Sequence, residues 1–183
     1  MRTRAKKFSF RSVTFAPAAR TITFRYAVTL ADGTERIFRE QLLLPRSIDV
    51  KQIPPELLKR ILQELHHVIG ISYYKLFFPR VMTLPRALSS IQATFWNTVY
   101  RRGLGEFFYR NRLDPRHCAR FPVDRSVPSP VSMRLPRRDR SLVGVGGGKE
   151  SVVVVELLKA AGKDVTAFVV ENDRAQPIID DFV

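Results

Sequence analysis

At 183 residues the chain is long enough for one well-filled domain or two small ones, and its ordinary apolar content excludes wholesale disorder. The formal net charge of +14, mostly arginine, points towards polyanions or phosphorylated ligands, but the basic residues are spread along the chain and not gathered in one block. A lone cysteine, Cys118, excludes an intrachain disulfide framework, and no apolar run approaches bilayer length. The basic N-terminus alternates and does not lead into an apolar segment of secretory type, so the expected setting is reducing and cytoplasmic.

Residues 8 to 44 carry the pattern of strands. Phe8, Phe10, Val13 and Phe15 roughly alternate, and Ile22, Phe24, Tyr26, Val28 and Leu30 do so strictly. Asp32-Gly33 is a hairpin-type turn into a further run, Glu35 to Leu44. The expectation is a small antiparallel sheet with one buried face. Lys7, Arg11 and Arg25 interleave with Phe8, Phe10 and Tyr26, as in sheets that stack RNA bases. Charged residues on the wet face of a half-buried sheet account for the pattern more simply.

After Pro54-Pro55 the period changes. Leu57, Leu58, Ile61, Leu62, Leu65, Val68 and Ile69 predict a helix with Gly70 as its stop, followed by Ile71 to Lys75. His66 and His67 are adjacent on it, so they cannot chelate together, and His117 has no partner at ligand spacing. A second helical pattern runs through Leu88, Ile91, Phe95, Trp96, Val99 and Tyr100 and stops near Gly103. In the next stretch, Phe107 and Phe108 read as core, and Glu106 and Arg110, at i and i+4, as an ion pair. From Asp114 to Arg140 no period survives, and Pro115, Pro122, Pro128, Pro130 and Pro136 exclude a long helix or a central strand. The predicted organisation is an α+β part over 1–113, a connecting segment over 114–140, and the beginning of an α/β nucleotide-binding domain over 141–183.

The last of these carries the chemistry. Leu142 to Val145 is a strand-like run; Gly146 to Gly148, Lys149, Glu150 and Ser151 follow; then come a helical segment ended by Gly162 and a second strand-like run, Val165 to Val170. Strand, glycine loop, helix and strand make the βαβ unit that cradles phosphates. Consecutive glycines let backbone N–H groups turn inward, and the helix start aims its unpaired N–H groups at the same place. Lys149 adds a mobile positive charge, and Ser151 offers a hydroxyl or an N-cap. The GxxxxGK[ST] form fails at Val143 and Glu150, and GxGxxG fails at Lys149. What remains resembles the SGGxDS loop of the PP-loop ATP pyrophosphatases, with Gly146 in place of the serine and Glu150 in place of the aspartate. A flexible glycine turn with solvated Lys149 and Glu150 is the plainer alternative.

Three blocks, Gly70 to Lys75, Gly103 to Asn111 and Val143 to Ser151, together resemble a family of ATP-dependent epimerases of peptidoglycan precursors, over most of the chain from about Phe24. Those enzymes invert the terminal glutamate of UDP-N-acetylmuramoyl-L-alanyl-L-glutamate. The resemblance implies that Gly146, Gly147, Gly148, Lys149 and Ser151 hold the phosphates of ATP, with Lys149 the catalytic residue facing the departing pyrophosphate. It implies Glu150 as the Mg²⁺ ligand and Val169, Val170 and Glu171 beside adenine. On resemblance alone, Tyr73, Tyr74, Lys75, Glu106, Tyr109, Arg110 and Asn111 are candidates for the UDP-linked substrate. A complete nucleotide domain needs more strands than follow Asn172, so the expectation is a fragment without full activity by itself. Two other readings stay open: an RNA-directed ATP pyrophosphatase using the basic Arg110–Arg140 stretch on tRNA, and a non-enzymatic remnant completed by another chain.

Overall fold

The computed structural model describes residues 5–134 and 139–169. The chain divides into two compact units, 1–131 and 132–183.

In the first unit, β1 (Ala5–Ala16), β2 (Thr21–Leu30) and β3 (Glu35–Leu43) form an antiparallel meander. The Asp32-Gly33 turn closes β2 onto β3, with Gly33 at a φ of +90° and the Asp32 carboxylate accepting from the Thr34 amide. A short strand, β4 (Val81–Thr83), adds to β1 in parallel and completes the order β3-β2-β1-β4. Three residues give too little alternation to be read in advance.

Helix α1 (Pro55–Phe77) covers one face of this sheet; α2 (Ser90–Arg102) and α3 (Gly105–Asn111) follow. The hairpin pattern and α2 lie where the sequence puts them, with Ser89 capping α2 through Gln92 and Gly103 closing it. Gly70 does not stop α1. The helix runs on to Phe78, whose left-handed backbone ends it, and carries the Gly70–Lys75 block on its last turns. Gly70 answers a packing demand: a Cβ there would stand 2.5 Å from the Phe10 ring and 3.1 Å from that of Tyr26. The glycine lets helix and sheet approach, which outweighs its poor helix propensity.

The core is aromatic. Phe8, Phe10, Phe24 and Tyr26 meet Tyr74, Trp96, Tyr100, Phe108 and Phe121 in one buried cluster. His66 and His67 are buried within it, each ring edge-on to Phe10, at 5.2 and 5.3 Å. Burial, helped by the neighbouring His67, pulls the His66 pKa down to about 4 against the opposing hydrogen bond to the Arg25 carbonyl. Trp96 donates to Glu64 at 2.6 Å. Part of the stretch expected to connect the units belongs to this core. Ala119 and Phe121 are buried, the Ala119 amide donates to the Tyr74 hydroxyl, and Leu88 bridges Val123. Proline forbids regular structure there, but irregular chain buries side chains equally well once its amides find acceptors.

The described residues of the second unit form one motif. Strand β5 (Arg140–Gly144), helix α4 (Lys149–Ala160) and strand β6 (Asp164–Phe168) form a βαβ unit with β5 and β6 parallel. Among its described residues, Val143 and Val145 are the buried apolar ones, while α4 buries none.

Candidate functional site

The turn between β5 and α4 is built by its glycines. The Val145 amide donates to the Phe168 carbonyl at 2.9 Å and so extends the strand pairing by one step before the chain leaves the sheet. Gly147 then takes a φ of +76°, a left-handed backbone that a side chain would strain. Gly148 is the N-cap of α4, in extended conformation. Its carbonyl accepts from the Ser151 amide at 3.2 Å and the Ser151 hydroxyl at 2.7 Å. Ser151 therefore sits in the first turn and does not cap the helix; its hydroxyl is a rotor now turned to Gly148.

Beside this turn lies a cleft of about 670 Å³. Gly146, Gly148, Glu150 and Ser151 line it together with Ser141–Gly144 of β5, and Val154 and Leu158 of α4 close it. The β5 residues, Val154 and Leu158 did not stand out in the sequence, although i and i+4 spacing sets the latter two on one side of the helix. Gly147 and Lys149 belong to the same turn without lining the cleft, and Lys149 is exposed. Val169 directly follows β6; Val170 and Glu171 lie outside the described residues.

The turn fits an anion. The Lys149 and Glu150 amides that open α4 precede the first intrahelical bond, made by Ser151, the helix dipole adds partial positive charge, and a Cβ at Gly146 would meet open space, so a phosphate oxygen can come close to the main chain. For a magnesium ion the turn offers one carboxylate, Glu150, whose Oε2 folds back to 3.1 Å from where a Gly148 Cβ would be. One carboxylate suits Mg²⁺, which takes its other oxygens from phosphates and water. Among the described residues no cluster of three or more His, Cys, Asp or Glu could hold a metal ion alone.

The residues that resemblance marks for substrate lie on two helices, the end of α1 and α3, which share Phe78 as a packing neighbour. Tyr73 stacks on Tyr26 and donates to Glu40 at 2.6 Å; burial and that carboxylate push its pKa up to about 12. Tyr74 is wholly buried, its hydroxyl 3.6 Å from the Cys118 sulfur, and burial pushes its pKa up. Lys75 is exposed in the last turn of α1. On α3, Glu106 and Arg110 form the expected ion pair at 2.7 Å, Tyr109 is 86% exposed, and Asn111 donates to the Phe107 carbonyl. None of these lines the βαβ cleft, nor the apolar groove of about 740 Å³ between α1 and α2.

Over residues 1–181 the chain matches the family described as the MurL N-terminal domain. It belongs to that family. It is 37% identical over 177 residues to a UDP-N-acetyl-alpha-D-muramoyl-L-alanyl-L-glutamate epimerase of Micromonospora sp., covering 93% of this chain and 38% of that protein. A like-named epimerase of Salinispora tropica is 36% identical over 181 residues, covering 93% of this chain and 37% of the relative. One from Xanthomonas oryzae pv. oryzae is 38% identical over 109 residues, covering 59% of this chain and 24% of its own length. This MurL-family chain thus spans less than two fifths of the length of these relatives. No solved structure matches. Among the described residues no helix is long and apolar enough to cross a membrane.

Proposed function

We propose that this MurL-family chain works in the ATP-dependent inversion of the terminal L-glutamate of UDP-N-acetylmuramoyl-L-alanyl-L-glutamate, a step of peptidoglycan precursor synthesis. The observation that carries the reading is the left-handed glycine turn leading from a parallel strand into the start of α4. That is the backbone a polyphosphate tail requires. The names of the relatives supply the substrate class.

The chemistry explains why ATP is needed. An α-carboxylate resists further negative charge on its neighbouring carbon, so that C–H is a poor acid. Joining the carboxylate to AMP removes the charge, makes the proton acidic, and expels pyrophosphate. The residues of this chain hold the charge that builds on the departing group. Amides of Gly146 to Gly148, Lys149 and Glu150 donate to phosphate oxygens, and Lys149 swings its ammonium towards them. The Ser151 hydroxyl turns from the Gly148 carbonyl to a phosphate oxygen. Glu150 is the carboxylate that would hold Mg²⁺, which supplies charge neutralisation between the phosphates. Val169, Val170 and Glu171, at and beyond the end of β6, are proposed to meet adenine.

Calorimetry of the chain with ATP and magnesium tests this. Saturable binding is expected, and Gly147→Ala is expected to weaken it about tenfold or more, because a Cβ disfavours the left-handed turn that aims the amides. No heat from the unsubstituted chain would sink the reading.

A further inference from the structure

The sheet of the first unit has a second face. Phe8, Phe10, Phe24, Tyr26 and Phe38 all point to the side that α1 covers, for Tyr73 of α1 stacks on Tyr26 and meets Phe38 at a tilt. By alternation, the opposite face carries the other residues of each strand. The register puts Arg25 of β2 directly opposite Arg39 of β3, and Ser12 of β1 opposite Arg25 on its other side. The neighbouring row is Thr14, Thr23 and Gln41, with Gln41 donating to the Thr23 hydroxyl at 3.3 Å. Arg25, Arg39 and Gln41 are exposed.

Two like charges placed directly across a strand pair repel, and a sheet normally avoids them or answers them with a carboxylate. Here no answer is given. Glu35, the acidic residue that the register sets on this face, is held by Arg11 reaching over from β1. Among the described residues no carboxylate lies within ion-pair distance of Arg25 or Arg39. The row is a set of donors awaiting an acceptor. Cross-strand Cβ atoms stand about 5 Å apart, so two guanidinium forks can each take one of two linked phosphates. A nucleic acid is a poorer match, because every aromatic side chain of these strands that could stack a base lies in the covered core or packs against it.

We propose that the exposed part of this face, around Arg25, Arg39 and Gln41 and beyond the buried Ser9 and Ala27, binds the diphosphate of a small nucleotide-linked ligand. This site is separate from the glycine turn and does not need it. Three strands position it, and its donors are side chains, whereas the turn offers main-chain amides.

Titration of the full chain with inorganic pyrophosphate and with UDP, followed through the arginine Nε–Hε NMR signals, tests it. Saturable shifts of Arg25 and Arg39 are expected with both ligands. Arg25→Gln and Arg39→Gln are each expected to weaken UDP binding about tenfold or more, with the thermal midpoint unchanged or raised because a like-charge contact is relieved. Arg39→Lys keeps the charge but loses the planar fork, and a loss of a few-fold, on the order of threefold to fivefold, is expected. Since the readout is local to these arginines, failure of ATP to bind the glycine turn leaves it untouched. The proposal is overturned if neither ligand shifts the two arginines, if both glutamine variants bind UDP as before, or if pyrophosphate binds and UDP does not. It is equally overturned if a single-stranded oligonucleotide binds more tightly than UDP with affinity that grows with its length.

Discussion

The two units of this protein answer the same demand in opposite ways. In the first, a sheet covered by α1 buries nine phenylalanine, tyrosine and tryptophan rings together with two histidines, and its buried tyrosine hydroxyls are paired. In the second, Leu142, Val153, Val154, Leu157 and Phe168 are exposed, and α4 is apolar on sides that no described residue of its own unit covers. A parallel sheet is stable when both faces are covered, so apolar surface of this kind is what such sheets put under helices. The lesson is where sequence effects reside: in the first unit a side chain acts through its packing, in the second through the turn it shapes.

The largest expected effect tests the packed side. Phe8 is wholly buried against Phe10, Tyr26 and Tyr74, so Phe8→Ala should lower stability by about 3–5 kcal/mol in chemical denaturation. A loss under about 1 kcal/mol would mean the aromatic cluster is not the stabilising core.

Acid sharpens the same contrast. His66 has a folded pKa of about 4 against its ordinary 6.5. Between those values the unfolded chain takes up a proton that the folded one refuses. Stability is therefore fully present above about pH 6.5 and declines as pH falls towards 4, by at most on the order of 3 kcal/mol. His66→Gln, which keeps a donor for the Arg25 carbonyl, should flatten that slope. An unchanged pH profile in the variant would assign the slope to other groups.

The smallest effect belongs to the second unit. Leu157 is 65% exposed, and Leu157→Ala should change stability by no more than about 0.5 kcal/mol. A loss of 2 kcal/mol or more, on the order of a buried leucine, would show that α4 is covered in solution and would break the comparison.

Much of this arrangement was legible in advance. Strict alternation from Ile22 to Leu30, the Asp32-Gly33 turn, the α2 stripe and the βαβ order of the second unit each rest on a local period or a local turn chemistry, and each stands where the residues put it. The glycine turn was legible for the same reason. Gly70 reads as a stop in the sequence because the Phe10 ring that it lets against the helix comes from a distant strand. Phe121 was missed because proline-rich chain has no period, and the Arg25–Arg39 pair because fourteen residues of separation say nothing about register.

By itself, the sequence determined most of the elements, the hairpin meander and the glycine turn before α4, since periodicity and backbone chirality act over a few residues. Tertiary structure alone decided that α1 continues through Gly70, that irregular chain fills the core at Phe121, and that two arginines face each other on the open sheet. Those outcomes depend on which distant surfaces meet. Burial and electrostatics are summed over neighbours in space, and a chain read in order contains no list of them.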